Sequence, residues 1–276
     1  MTVYDRISVI VGVILIGIIL LLILEIPSRE FVFKPFGSPL TLSITGNWLA
    51  SALLLGLSCT GTEAIMRTHP QVRRHVVRIT FPTWILPGLT TLTLAQFLPQ
   101  SPNLLYWTIG LIVGGGILAW LVLAYYRLFD LSAEQKAARS AQWIQGGLEI
   151  IAYTLALILF TLIYRTKLRS LVTATQVTFV AGMLALSILY REKCTPKQMG
   201  IYAGLIALVM GETMWALNYW QANALTVGVL LLLMFYVLVG IVQQHIRTTL
   251  NRRVMLEFLS VIVLGIGIVI ILGPQN

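Results

Sequence analysis

The chain has 276 residues, of which 58% are hydrophobic and only 11% are charged. Soluble domains carry about 25% charged residues, so the composition excludes an ordinary soluble protein, and no stretch between the apolar runs could bury a core of its own. The net charge of +9 does not indicate nucleic-acid binding, because Lys and Arg concentrate in the cytoplasmic loops of membrane proteins.

Apolar runs close to 20 residues long recur along the chain and predict an all-α, polytopic transmembrane bundle of about nine helices. We expect one integral membrane domain over residues 1–276. The first run lacks a small-residue cleavage site, so we interpret it as an uncleaved helix rather than a signal peptide. The predicted segments cover residues 7–26, 47–66, 79–98, 104–126, 142–164, 171–190, 199–218, 224–244 and 254–272.

The basic residues predict which loops face the cytoplasm. With nine segments, 14 of the 19 Lys and Arg residues fall on the side that holds the N-terminus, which predicts the N-terminus inside and the C-terminus outside. The third segment is the doubtful one, because it contains Pro82 and Pro87. If that segment were re-entrant, the bias in basic residues would disappear, so the full set of nine is preferred.

The first outer loop, residues 28–45, is the one extramembrane piece with a pattern. Apolar residues alternate with polar or smaller ones at residues 31–34 and again at residues 40–45, on either side of a turn-forming Pro-Phe-Gly-Ser-Pro stretch. This pattern is typical of a short β-hairpin, and an irregular loop is the alternative.

Cysteine and histidine give no sign of a cofactor. Cys59 and Cys194 lie in a predicted helix and a predicted cytoplasmic loop, so a disulfide framework is not expected. His69 and His75 lack metal-ligand spacing and His245 ends a predicted helix. We therefore predict no metal and no cofactor.

The acids within the apolar segments fall into two groups. Glu63 lies four residues before Arg67, and Glu257 lies four residues after Arg253. A basic residue one turn away predicts a structural ion pair near the helix end. Glu149 and Glu212 have no basic residue within one turn. A buried acid of this kind marks either a functional site or a hydrogen bond between helices.

Glu212 is the strongest candidate, because other polar residues are predicted at its depth. Glu212, Trp215 and Tyr219 share one face of a helix at positions i, i+3 and i+7, and polar residues cluster in the outer halves of the third and sixth segments. Together they predict a polar pocket that opens to the outer side. The predicted ligand-binding residues are Glu212, Trp215, Asn218, Tyr219, Gln96, Thr93, Gln176 and Thr173.

Three functions are compatible with these residues. The first is a non-enzymatic binding or transport protein for a small or lipid-linked solute, and the second is an accessory or assembly subunit of a membrane or envelope complex. The third is a membrane enzyme that acts on a lipid-linked substrate, which would need a base and positioned donors. No catalytic residue can be assigned from the sequence. The expected partners are membrane lipids, such a solute and other membrane proteins, but not nucleic acid.

Three stretches together resemble a family of uncharacterised bacterial multi-pass membrane proteins. They are residues 60–64 followed by His69-Pro70, Gly211-Glu212 followed by residues 215–220, and Arg252-Arg253 followed by Glu257. The resemblance covers nearly all of the chain and implies a bacterial membrane protein with no assigned activity. We expect a multi-pass protein of the bacterial cytoplasmic (inner) membrane. It carries over no catalytic residue.

Overall fold

The computed structural model describes residues 3–24, 29–33, 40–44, 46–73, 80–100, 103–131, 138–166, 169–192, 194–220, 222–247 and 267. Helices dominate these ranges, as the sequence predicts. The helices are α1 (Val3–Ile23), α2 (Gly46–Arg67), α3 (Pro70–Arg73), α4 (Ile85–Phe97), α5 (Leu104–Leu131), α6 (Ala138–Arg165), α7 (Ser170–Leu189), α8 (Pro196–Leu217) and α9 (Ala224–Ile246).

Seven of the described helices are long and apolar enough to cross a membrane, namely α1, α2, α5, α6, α7, α8 and α9. Each contains at least 18 residues, or about 27 Å at 1.5 Å per residue, close to the thickness of a hydrocarbon core. Many of their large apolar side chains are exposed, which suits helices surrounded by lipid. The ninth predicted segment, residues 254–272, lies outside the described residues apart from Gly267.

The third predicted segment forms a shorter helix than the others. A 3₁₀ turn at Phe81–Trp84 leads into α4, which has 13 residues, or about 20 Å. Pro82 lies at the start of the turn and Pro87 in the first turn of α4, where a missing N–H costs nothing. The two prolines therefore mark the beginning of a short helix and do not kink a long one.

The chain divides into two compact units, Met1–Ile144 and Gln145–Asn276. In the first unit, α4 packs against α2 and α5, and α1 packs against the same two helices. Most of α4 is buried. A Cβ atom at Gly114 of α5 would lie 2.5 Å from a methyl carbon of Leu94, so the glycine lets the Leu94 side chain pack directly against the backbone of α5.

Two short strands follow α1 in the same unit. Strand β1 (Arg29–Phe33) pairs antiparallel with β2 (Leu40–Ile44), and Phe31 lies opposite Leu42. Residues 34–39, which contain the predicted turn, lie outside the described residues, so the complete hairpin stays a prediction.

In the second unit, α7 and α8 pack along each other and α9 packs against both. Gly211 of α8 faces Thr178 of α7, and a side chain at that position would collide with the threonine hydroxyl. Helix α6 contacts α9 through its aromatic side chains, and the ring centroids of Phe160 and Phe235 are 6.0 Å apart. The start of α8 is capped by Thr195, whose hydroxyl accepts a hydrogen bond from the Gln198 backbone N–H.

Candidate functional site

Glu212 lies on a face of α8 that points away from α7. Gly211 and Met214, its neighbours on the helix, are buried toward the core of the second unit, whereas Glu212 is exposed. Trp215 is 51% exposed and Tyr219 is 78% exposed. The close contact between Gly211 and α7 therefore fixes the direction in which Glu212 points.

The same face continues toward the N-terminus of α8 as an apolar stripe. Its members recur at alternating spacings of four and three residues, which is the repeat of a left-handed coiled coil of two α-helices. We call this set of residues the α8 stripe. It consists of Ile201, Leu205, Leu208, Glu212, Trp215 and Tyr219, all exposed.

Glu212 has no hydrogen-bond or ion-pair partner among the described residues. It lies five residues before the end of α8 at Leu217, about 8 Å along the helix axis. An unpaired ionisable group at that depth is costly in hydrocarbon, by about 2.5–3.5 kcal/mol for Asp, Lys or Arg at the helix centre. The position calls for a partner from outside the second unit's own core.

Asn218 and Thr173, two other predicted site residues, meet on a different side of α8. The Asn218 Nδ2 donates to Thr173 Oγ1 at 2.7 Å, and Thr173 is buried. Nearby, the Tyr164 hydroxyl donates to the Trp220 carbonyl at 2.7 Å. These two bonds fasten the end of α8 to α7 and α6, so Asn218 holds helices together and does not share a surface with Glu212.

Gln176 lies one turn after Thr173 on α7. Its Oε1 atom is buried and accepts no hydrogen bond from the described residues. A buried polar atom without a partner costs free energy, and among the predicted site residues this oxygen is the buried one that has no hydrogen-bond partner in the described part of the chain.

Gln96 and Thr93 belong to the first unit. The Gln96 Nε2 donates to Ser51 Oγ at 3.0 Å, and the Thr93 hydroxyl donates to the Leu89 carbonyl of its own helix at 2.7 Å. Hydroxyls that bond their own helix are weak indicators of a ligand site. Because these residues and Glu212 lie in different units, their predicted convergence on one pocket stays a prediction.

Glu149 interacts electrostatically with Arg247, the residue that follows α9. It is half-buried on α6.

Glu192, only 9% exposed, accepts hydrogen bonds from the Arg247 side chain, including one from Nε at 3.0 Å. The hydrogen bond to Glu192 raises the pKa of Arg247, burial opposes that rise, and the charges of Glu192 and Glu149 add to it.

The ion pairs predicted near helix ends are described for one of the two cases. The Arg67 Nε donates to Glu63 Oε1 at 2.9 Å. Arg253 and Glu257 lie outside the described residues, and their pairing stays a prediction.

A second link in the first unit was not predicted. The ring of His69 is 1% exposed, and its Nε2 lies 2.9 Å from Asp130 Oδ1. The ring also packs edge-on against Tyr126, with centroids 4.6 Å apart. This contact joins the end of α2 to the end of α5. Among the described residues, no group of three or more His, Cys, Asp or Glu side chains could hold a metal ion.

These features define the class of the molecule: a helical protein of the multi-pass membrane type, with Glu212 on an exposed helix face and with Glu63, Asp130 and Glu192 bonded to side chains of the chain itself. The chain belongs to the family described as "Protein of unknown function (DUF5656)", whose model matches residues 26–272. This confirms the resemblance to an uncharacterised family, while the bacterial origin stays a prediction. No curated protein and no solved structure matches the chain.

Proposed function

We propose that this protein is a non-enzymatic, integral membrane subunit that assembles with another membrane protein through the α8 stripe. One observation carries the proposal: Glu212 is exposed on a membrane-length helix and has no partner among the described residues. Its partner would be a helix that offers a hydrogen-bond donor or a basic side chain at the depth of Glu212.

Both the energetic cost of an unpaired acid and the spacing of the α8 stripe favour a partner helix. An acid that faces hydrocarbon is unfavourable, and a donor on a neighbouring helix removes part of that cost, by about 0.6–2 kcal/mol per hydrogen bond. The repeat of four and three along the stripe suits a partner helix that crosses at a small angle. Trp215 and Tyr219 supply broad surfaces of the kind enriched in the centres of protein interfaces.

The test is co-purification from native membranes in mild detergent, with the partner measured by quantitative mass spectrometry. Wild type, Glu212→Leu and Glu212→Gln are compared with Ile150→Gln, a change at an exposed position of α6. We expect about ten times less partner to co-purify with the leucine variant, because a loss of about 1.4 kcal/mol in binding free energy weakens binding tenfold. The glutamine variant should keep most of it, because an amide still forms hydrogen bonds.

Two outcomes would contradict the proposal. If wild type purifies without any partner, the assembly role is wrong. If Glu212→Leu and Ile150→Gln change the yield of the partner equally, the α8 stripe is not the contact surface.

A second candidate is the binding of a small or lipid-linked solute in the outer half of the second unit. The observation that favours it is the buried Gln176 Oε1, which lacks a partner among the described residues and lies one turn from Thr173. A solute that donates a hydrogen bond to this oxygen should raise the melting temperature of the wild type but not of Gln176→Leu. If no member of a broad solute and lipid screen distinguishes the two, this candidate loses its support.

The membrane and its sidedness belong to the same proposal. A cytoplasmic membrane of a bacterium, with the N-terminus inside, fits the excess of Lys and Arg on one predicted side. Impermeant thiol reagents applied to intact cells should then leave Cys194 unmodified and should reach it after the membrane is opened. Modification of Cys194 in intact cells would reverse the topology.

A further inference from the structure

A groove in the first unit lies at the end of α2, beside the 3₁₀ turn that leads into α4. Its volume is about 400 Å³. It is separate from the α8 stripe, and its residues come from α2 and from the turn. The lining residues are Cys59, Thr60, Glu63, Ala64, Arg67 and Trp84.

The carboxylate of Glu63 is held in the groove by one of its oxygens and leaves the other without a partner. Oε1 accepts hydrogen bonds from Arg67 Nε at 2.9 Å and from Thr80 Oγ1 at 2.7 Å. Oε2 is buried and accepts none from the described residues. A buried carboxylate oxygen without a donor is unfavourable, so a charged or polar donor that enters the groove far enough to reach Oε2 would be stabilised there.

Arg67 places a cation next to that acceptor. Its side chain is 74% exposed, and Nε is the only nitrogen of the guanidinium bonded to Glu63. The two terminal nitrogens have no hydrogen-bond partner among the described residues, and a guanidinium fork matches a phosphate in geometry and charge. The groove therefore pairs an acceptor for a cation with a donor for an anion.

The surroundings of this pair suit a lipid. Along α2, toward its N-terminus, Leu57 and Leu53 are exposed at successive turns, a continuous apolar track beside the groove. Trp84 lines the groove, and its ring packs edge-on against Phe81 with centroids 5.2 Å apart. Tryptophan is enriched where lipid headgroups meet the hydrocarbon. Arg67 ends α2, so the charged pair lies at the depth of headgroups and the leucines lie at the depth of acyl chains.

We propose that the groove binds a phospholipid whose headgroup carries a primary ammonium, as in phosphatidylethanolamine. The ammonium donates to Glu63 Oε2, the phosphate binds Arg67, and the acyl chains lie along Leu57 and Leu53. Thr60 and Ala64 leave room for the headgroup because their side chains are short. A choline headgroup has no N–H group and cannot donate to Glu63, so the site distinguishes the two lipids.

Native mass spectrometry of the delipidated full chain in detergent tests this directly. The probes are phosphatidylethanolamine and phosphatidylcholine with identical acyl chains, together with free phosphoethanolamine. We expect the ethanolamine lipid to bind about tenfold more tightly than the choline lipid, as for the loss of a charge-assisted hydrogen bond. Equal binding of the two lipids would overturn the proposal, and so would tight binding of free phosphoethanolamine without the lipid.

Variants identify the groove as the source of the preference. Glu63→Gln should reduce the preference for ethanolamine over choline to less than twofold, and Arg67→Gln should weaken both lipids about equally. Arg139→Gln, at an exposed position of α6, should change neither. A Glu63→Gln protein that keeps the tenfold preference would contradict the assignment. If a variant fails to fold, the comparison of the two lipids on the wild-type protein still tests the proposal. That comparison does not depend on the role of the α8 stripe.

Discussion

Glu63 and Glu212 are both glutamates within long apolar helices, and the chain surrounds them differently. Glu63 is bonded by Arg67 on its own helix and by Thr80 on a neighbouring segment, whereas Glu212 is exposed beside Trp215 and Tyr219 with no partner among the described residues. Around Glu63 the fold supplies two hydrogen-bond donors to the carboxylate, whereas the fold leaves Glu212 on an exposed helix face. The two acids therefore differ in how far the chain itself supplies their hydrogen-bond partners.

The largest effect is expected where the fold of the second unit fixes the direction of Glu212. Gly211→Leu places a side chain against Thr178 and should destabilise the protein by about 3 kcal/mol through overpacking. Gly204→Leu, on the same helix with open space around the position, is the matched control and should have little effect. Thermal unfolding in detergent measures both, and equal melting temperatures would mean that Gly211 does not set the packing of α7 and α8.

The next effect concerns the ion pair between α9 and the end of α7. Arg247→Met leaves the nearly buried Glu192 without its charged donor and should cost about 2 kcal/mol, less than a fully buried pair because half of the Arg247 side chain is exposed. Arg139→Met, a change at an exposed arginine, should be neutral in the same unfolding measurement. Neutral behaviour of both variants would show that the pair is incidental.

A direct comparison of the two acids should show a loss of stability for a change at Glu63 and none for a change at Glu212. Glu63→Leu removes the acceptor of Thr80 and Arg67 and should lower stability by about 1–2 kcal/mol. Glu212→Leu removes an unpaired acid from an exposed face and should leave the stability of the isolated protein unchanged or raise it by less than about 1 kcal/mol. If Glu212→Leu destabilises the isolated protein as much as Glu63→Leu does, Glu212 is part of the internal packing.

The smallest expected effect concerns the reactivity of the Cys194 thiol. Burial and the nearby negative charge of Glu192 raise the pKa of Cys194 above the ordinary value of 9.0, although a backbone hydrogen bond opposes the rise. A raised thiol pKa means less thiolate at pH 8.5 and slower alkylation. Glu192→Gln should therefore speed the alkylation of Cys194 at this pH by a factor of about two to five, measured in a Cys59→Ser background. A slower reaction would reverse the sign assigned to Glu192.

The approximate bounds of a membrane-length helix such as α8 could be predicted from the sequence. Helix α8 begins at Pro196 and ends at Leu217, against a prediction of residues 199–218, because a long apolar run with a turn at each end defines a span. The short length of α4 was not predicted, since the basic-residue bias constrains the side on which a loop lies but not the length of a helix.

The cross-helix contacts could not be predicted from spacing alone. His69 and Asp130 are 61 residues apart, and Glu192 and Arg247 are 55 apart. The available signal was that each pair falls at helix ends on the same predicted side of the membrane. The grouping of Asn218 with Glu212 ignored helical phase: six residues correspond to about 240° around a helix of 3.6 residues per turn, so the two side chains point in different directions.

The central claim is that the face of α8 around Glu212 touches another protein in the membrane. A photo-crosslinking amino acid in place of Trp215, compared with one in place of Ile150 on the exposed face of α6, tests it in intact membranes. The account predicts an adduct with a second membrane protein from position 215, which Glu212→Leu weakens, and none from position 150. A crosslink only within the chain, an adduct of two copies alone, or equal adducts from both positions would contradict it.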